Sequence, residues 1–221
     1  MARDAVLVFD VNETLLELAA LDPPFERVFG DPSVRREWFQ QLLQSALVST
    51  IVGPYADFGA VGRAALSMVA ERHGRQLSDA EVNDILGTVR QLPAHPEVGA
   101  ALDRLQRNGY RLATLTNSTV GVAESQLRNA GLVEHFERVL SADGAGRLKP
   151  AAEAYRYAAA ELGSDVTGLR LVAAHAWDVA GALRAGCRAA FVARPGMVLD
   201  PLAPRPDIIG GDLRQVADAL L

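Results

Sequence analysis

Asp10 closes an apolar run, Val6-Leu7-Val8-Phe9, and is followed by the polar, turn-like stretch Val11-Asn12-Glu13-Thr14. A carboxylate at the end of a segment fit for burial costs free energy unless it is paired or put to use. Candidate partners follow three later apolar runs. Thr116-Asn117-Ser118-Thr119 comes after Tyr110–Leu115, and Lys149-Pro150 comes one loop beyond Arg138–Leu140. Ala174-His175-Ala176-Trp177-Asp178 comes after Leu169–Ala173. Gathered on one rim, these segments would surround Asp10 with a second carboxylate, an ammonium group and several hydroxyl and amide donors.

The elements that would gather them alternate along the chain. Strand-like runs at Ala5–Phe9, Tyr110–Leu115, Arg138–Leu140, Leu169–Ala173 and Ala189–Ala193 are separated by helical patterns. The helices are expected at Pro96–Asn108, Val120–Ala130, Ala151–Leu162 and Val179–Ala185, several of them stopping on glycine. Pro206–Ile209 adds a short last strand before a closing helix, Leu213–Leu220. Strands alternating with helices imply an α/β fold with a Rossmann-like parallel sheet, which binds ligands beyond the carboxyl ends of its strands. Residues 15–91 break the rhythm, with three helical stretches near 33–50, 57–73 and 78–90 and no convincing strand. The expected organisation is therefore a core domain of residues 1–14 and 92–221 carrying an inserted helical cap subdomain, 15–91.

Composition narrows the function classes. The 221 residues are 49% hydrophobic, enough for a sizeable core, and the net charge of −5 comes without a block of like charges. Nucleic acid and anionic membranes are not the partners this implies. The longest apolar runs are too short to span a bilayer, and the N-terminus carries no secretory pattern, so a soluble cytoplasmic protein is expected. A single cysteine, Cys187, rules out an intrachain disulfide and a cysteine metal cluster.

The sequence resembles the haloacid dehalogenase superfamily of hydrolases. Its four motifs are matched in order by FDVNET, LTNS, LKP and WD followed by V-A-G-A, and residues 15–91 stand in the place of the helical cap. The resemblance makes Asp10 the nucleophile. A magnesium-dependent phosphatase of this superfamily typically has an aspartate two residues after the nucleophile and an acidic residue four before the last aspartate. Here those positions are Asn12 and Ala174. Without both carboxylates a magnesium site loses the hard oxygen ligands it prefers.

The L-2-haloacid dehalogenase branch, which uses neither metal nor cofactor, is matched more closely. Thr14, the pair Thr116-Asn117, Lys149, Tyr155, the pair Trp177-Asp178 and the cap aromatic Phe58 all fall at compatible spacings. The resemblance implies that Asp10 displaces halide from C2 of a small anionic acid, forming an ester that water then hydrolyses. Lys149 would keep Asp10 ionised, and Thr14, Thr116 and Asn117 would donate hydrogen bonds to carboxylates or the oxyanion. Asp178 would orient Lys149 or the water. A homodimer is also implied by the resemblance.

Three departures stand out. The branch carries an arginine just after a cap tryptophan, whereas Phe39 follows Trp38 here; Arg35 and Arg36 lie within one helical turn of that position. Two polar residues of the branch, a serine and an asparagine, are matched by Ala173 and His175. His175 fits either water activation or a hydrogen-bonded structural role, and Tyr155 fits either the core or the site. Trp177 suits packing between cap and core, Phe39 and Phe58 suit cap packing or halide contact, and Asp143 reads as surface turn chemistry beside Gly144 and Gly146. Cys187 reads as a buried, inert thiol. Two other functions stay open: a magnesium-dependent phosphatase of a small phosphorylated metabolite, and a non-catalytic module on the same fold.

Overall fold

The computed structural model describes residues 6–221. Ala5, placed in the first strand by the sequence, and the N-terminal segment before it lie outside the described residues. Six parallel strands form one sheet: β1 (Val6–Phe9), β2 (Arg111–Thr116), β3 (Arg138–Ser141), β4 (Leu169–Ala173), β5 (Arg188–Val192) and β6 (Ile208–Gly210). Their order is β3-β2-β1-β4-β5-β6, with Phe9 in register with Thr114 of β2 and Val172 of β4. The chain thus winds outward on one side of β1 and then on the other. That reversal opens a crevice at the carboxyl ends of β1, β2 and β4, where ligands of such sheets bind.

Four α-helices are inserted after β1, ahead of the helix that leads into β2: α1 (Asp22–Phe29), α2 (Val34–Val52), α3 (Phe58–Arg72) and α4 (Asp79–Thr88). Three match the expected helical stretches. The capping box of Ser78 and Glu81 starts α4, and Asp57 caps α3 by accepting from the Ala60 amide. Helix α1 lies outside the three expected stretches. Pro23 and Pro24 both stand in its first turn, where an amide hydrogen has no helical partner to lose.

The remaining α-helices are four crossovers and a closing helix. The crossovers are α5 (Val98–Arg107), α6 (Val120–Asn129), α7 (Ala152–Glu161) and α8 (Ala176–Ala185), and the closing helix is α9 (Leu213–Leu220). Alternation along β1 sends Val6 and Val8 to one face, into an apolar cluster with Tyr155 of α7 and Val179 of α8. Leu7 and Phe9 point to the other face. There they join a cluster that runs from Leu102 of α5 and Val216 of α9 through Trp38, Leu66 and Ile85 of the helices inserted after β1. Among the described residues no helix is long and apolar enough to cross a membrane.

Asp143 is not confined to turn chemistry. Its carboxylate accepts a hydrogen bond from Tyr55 in the loop between α2 and α3, so it ties the inserted helices to the loop after β3. Cys187 is buried, and burial pushes its thiol up to about 12, as expected of an unreactive cysteine.

Candidate active site

The four motif segments meet at the crevice, and Lys149 joins them. Its ammonium group has three protons, and three acceptors take them: Asp10 Oδ1 at 2.8 Å, Asp178 Oδ2 at 2.6 Å and the Leu115 carbonyl at 2.8 Å. The lysine is buried to 1% exposure, so its charge persists only because these partners replace water. Burial by itself would lower the lysine's pKa, but Asp10 and Asp178 outweigh it and hold the pKa above the ordinary lysine value. The backbone of Lys149 is fixed by Asn117. The Asn117 Oδ1 accepts from the Lys149 amide at 2.8 Å, and its Nδ2 donates to the Lys149 carbonyl at 3.3 Å.

Asp10 receives three side chains. Beyond Lys149 on Oδ1, its Oδ2 accepts from the Thr14 hydroxyl at 2.8 Å and lies 3.2 Å from His175 Nδ1. The Thr14 hydroxyl itself accepts from the Ala174 amide at 3.0 Å, so its proton is directed at Asp10. The residue that replaces an acidic group at position 174 therefore orients the nucleophile's neighbour through its backbone. Burial raises the Asp10 carboxyl, but the charges and hydrogen bonds of Lys149 and His175 prevail and hold it well below the usual carboxylate range. Asp10 is a buried yet ionised carboxylate.

Asp178 has both oxygens engaged, by Lys149 and by the Tyr155 hydroxyl at 2.6 Å, and it is fully buried. Burial is the largest influence on it and shifts its pKa upward. Tyr155 therefore satisfies both readings, since its ring sits in the core cluster while its hydroxyl holds Asp178. Gly181, the glycine of the V-A-G-A stretch, permits this closeness. A Cβ there would lie 2.5 Å from Pro150 Cβ and 2.7 Å from the Tyr155 hydroxyl.

The other expected residues are more dispersed. Thr116 uses its hydroxyl to accept from the Ser118 amide at 3.2 Å, shaping the turn after β2. Asn117 holds the lysine's backbone, where the sequence suggested a donor to a carboxylate or oxyanion. Trp177 stacks on His175 with ring centres 5.2 Å apart, and the Phe39 ring centre lies 6.1 Å from that of His175. A cleft of about 830 Å³ is lined by Glu13, Arg35, Arg36, Phe39, His175 and Trp177, together with Arg194. A second cavity of about 480 Å³ is lined by Asn12, Phe39, Phe58 and Ser118. Phe58 thus lines one space and His175 with Trp177 the other, while Phe39 borders both.

Neither neighbouring arginine has a hydrogen bond to Asp10. Arg35 is buried and bonded to Asp22 at the start of α1, whereas Arg36 is exposed. Glu13 and Arg194 were missed as site residues. Glu13 Oε2 lies 2.8 Å from His175 Nε2, and its backbone is left-handed at φ 61°, uncommon for a residue with a side chain. Arg194 donates to the Thr14 carbonyl at 2.8 Å and pairs with Glu97, which braces the turn carrying Asp10. Neither has a spacing signal, although Glu13 stands within the first motif itself.

The family model of haloacid dehalogenase-like hydrolases matches residues 5–186. The chain belongs to that family. Among its curated relatives, haloacetate dehalogenase H-2 of Moraxella sp. (strain B) is 26% identical over 211 residues, which is 94% of this chain and 93% of the relative. The (S)-2-haloacid dehalogenase of Pseudomonas sp. (strain YL) is 26% identical over 216 residues, 96% of this chain and 92% of that one. In fold, this family member is similar to the L-2-haloacid dehalogenase of Xanthobacter autotrophicus, solved with chloropropionic acid covalently bound. The two share a TM-score of 0.91 at 23% identity over 97% of each chain.

Proposed function

We propose that the protein is a hydrolytic 2-haloacid dehalogenase in which Asp10 is the nucleophile. The observation that carries this reading is the saturated Lys149 ammonium between Asp10 and Asp178, which keeps a buried carboxylate charged. The curated relatives named above are haloacid dehalogenases along nearly their whole length, which supports the same chemistry.

Asp10 attacks C2 of a short 2-haloalkanoic acid from the side opposite the halogen. The C–X bond breaks as the ester C–O bond forms, and halide departs. Water then attacks the Asp10 carbonyl carbon and releases the 2-hydroxy acid. The bond from C2 to oxygen survives that second step, so one inversion at C2 converts an (S)-2-chloro acid to the (R)-2-hydroxy acid. Lys149 offsets the negative charge that returns to the Asp10 oxygens during hydrolysis, and Thr14 donates to the same group. Tyr155 and Asp178 hold Lys149 in place, as do the Asn117 contacts. On this reading the helices over residues 15–91 act as a cap, with Phe39 and Trp177 as apolar walls around the substrate and Phe58 lining the adjoining cavity. Arg35 and Arg36 draw its carboxylate into the cleft. Site assembly needs no metal ion, because Lys149 supplies the cation between the two carboxylates.

The test is release of chloride from (S)-2-chloropropionate by purified protein in the presence of a chelator, with the product resolved on a chiral column. The reading expects chloride and (R)-lactate in equal amounts. Magnesium-dependent phosphate release from small phosphorylated metabolites, with no chloride release, would establish the phosphatase in its place.

A further inference from the structure

Most arginines of the inserted helices have carboxylate partners: Arg27 with Asp84, Arg35 with Asp22, Arg72 with Glu37 and Arg75 with Glu81. The guanidinium groups of Arg36, Arg63 and Arg90 have no hydrogen-bond or ion-pair partner among the described residues. Arg36 lines the larger cleft, and Arg63 and Arg90 line the cavity beside it. Resting on the dehalogenase reading above, we propose that this cavity takes the C2 side chain of the substrate and that Arg63 and Arg90 bind an anionic group at its far end. The preferred substrate is then a 2-halo dicarboxylate of medium chain length, with short 2-haloalkanoic acids as poorer members of the same class.

The cavity has a volume of about 480 Å³, within the range of sites that enclose a whole small molecule, about 300–1,000 Å³. The methyl group of chloropropionate would leave most of it empty. Its walls include Trp38, Leu42, Phe58 and Leu86, an apolar lining that matches a hydrocarbon chain. Asn12, two residues beyond Asp10, lines it too, as does Ser118, the neighbour of the asparagine that holds Lys149. Phe39 borders both spaces. An acid with its C1 carboxylate toward Arg36 and C2 at Asp10 therefore sends its side chain past Phe39 into the cavity.

The sheet-bearing part of the molecule holds this cavity in shape. Gln126 of α6, fully buried, donates from Nε2 to Asn12 Oδ1 and to the Val89 carbonyl, each at 2.9 Å. Asn129, one turn further along α6, donates to the Arg90 carbonyl at 2.8 Å. These bonds fix Asn12 and also the helical turn Val89–Gln91 that carries Arg90, while Arg63 extends from α3. With the Arg90 backbone set before a ligand arrives, less ordering is needed on binding. Both arginines are exposed, and a guanidinium fork pairs with a carboxylate through two parallel hydrogen bonds. Chemistry at C2 is unchanged: the dicarboxylate gives the 2-hydroxy dicarboxylate and halide.

Bromide release from (S)-2-bromopropionate, (S)-2-bromooctanoate and (S)-2-bromooctanedioate tests the assignment, with calorimetric binding of octanedioate as a readout that needs no chemistry. In wild type, kcat/KM for the bromo dicarboxylate should exceed that for the octanoate at least about tenfold, the worth of one charge-assisted hydrogen bond. The octanoate should in turn exceed the propionate, by about fourfold for each methylene buried. Arg63→Ala combined with Arg90→Ala should erase the gap between the two longer acids and weaken octanedioate binding about tenfold, with bromopropionate unaffected. Gly87→Leu tests the cavity itself. Gly87 lines it within α4, and a Cβ there meets nothing within 4 Å, so a larger side chain fills the space without displacing its neighbours. That variant should depress both longer acids at least about tenfold and leave bromopropionate unchanged. Bromopropionate turned over best by wild type, or the two longer acids turned over alike, would overturn the proposal. Octanedioate bound through the two arginines, with no bromide released from any acid, would uphold the anion site and defeat the dehalogenase reading instead.

Discussion

At the scale of single residues, the site is a chain of charges each made tolerable by the next. Asp10 and Asp178 would repel if left alone in a buried setting, and Lys149 alone would deprotonate; together they make three buried charges tolerable. Lys149→Ala should therefore cut chloride release by at least about a thousandfold and lower stability by about 3–5 kcal/mol, the usual cost of an uncompensated buried charge. Stopped-flow assays and urea unfolding would read both. His175 adds a pH signature. Its folded pKa, about 9, lies above the ordinary value near 6.5, so its stabilising effect is complete below about pH 6.5 and is lost as pH rises through 9. Asp10 shifts the other way, and its contribution is present above the ordinary carboxylate range and lost as pH falls. Melting temperature against pH should accordingly decline on both sides of a plateau, and His175→Asn should remove the alkaline decline.

At the scale of elements, the crevice works because three strands end together and α8 presses close to the loop carrying Lys149. Gly181→Ala should force Pro150 and the Tyr155 hydroxyl aside, costing about 1–3 kcal/mol in stability and lowering turnover through displacement of Lys149. Arg35 and Arg36 sit on one turn of α2 at the cleft wall. Replacing both by alanine should raise KM for a haloacid about tenfold and weaken its dependence on salt, because the lost interaction is long-range attraction for an anion. An unchanged KM would remove the arginines from substrate capture. Much of this level was legible in the sequence. Apolar runs ending on Asp10, Thr116 and Ala173 marked strand ends, and the break in rhythm after Thr14 marked the inserted helices. Helix α1 was hidden by its two prolines. The partnership of Glu13 with His175 was hidden because it depends on a left-handed turn that no pattern of residue types encodes. Asn117 was legible as a site residue, yet its bonds to the backbone of Lys149 depend on a contact 32 positions away.

At the scale of the whole molecule, the inserted helices and one face of the sheet share a single apolar cluster, from Leu7 and Leu102 to Leu66 and Ile85. Tyr55 and Asp143 add a polar tie between them. Unfolding should therefore be one cooperative transition, with circular dichroism and tryptophan fluorescence, which reports Trp38 and Trp177, changing at the same denaturant concentration. Separate midpoints would show the helices melting independently of the sheet. Function rests on the same union, since Phe39 from α2 flanks the His175 ring that touches Asp10. The claim on which the whole account depends is that Asp10 becomes esterified. A single turnover in heavy-oxygen water, with enzyme in excess over (S)-2-chloropropionate, tests it most directly. Attack of water on the ester carbon leaves the heavy oxygen in Asp10 and none in the lactate of that first turnover. Heavy oxygen found directly in the lactate, with Asp10 unlabelled, would mean that water attacks C2 itself and would contradict the account.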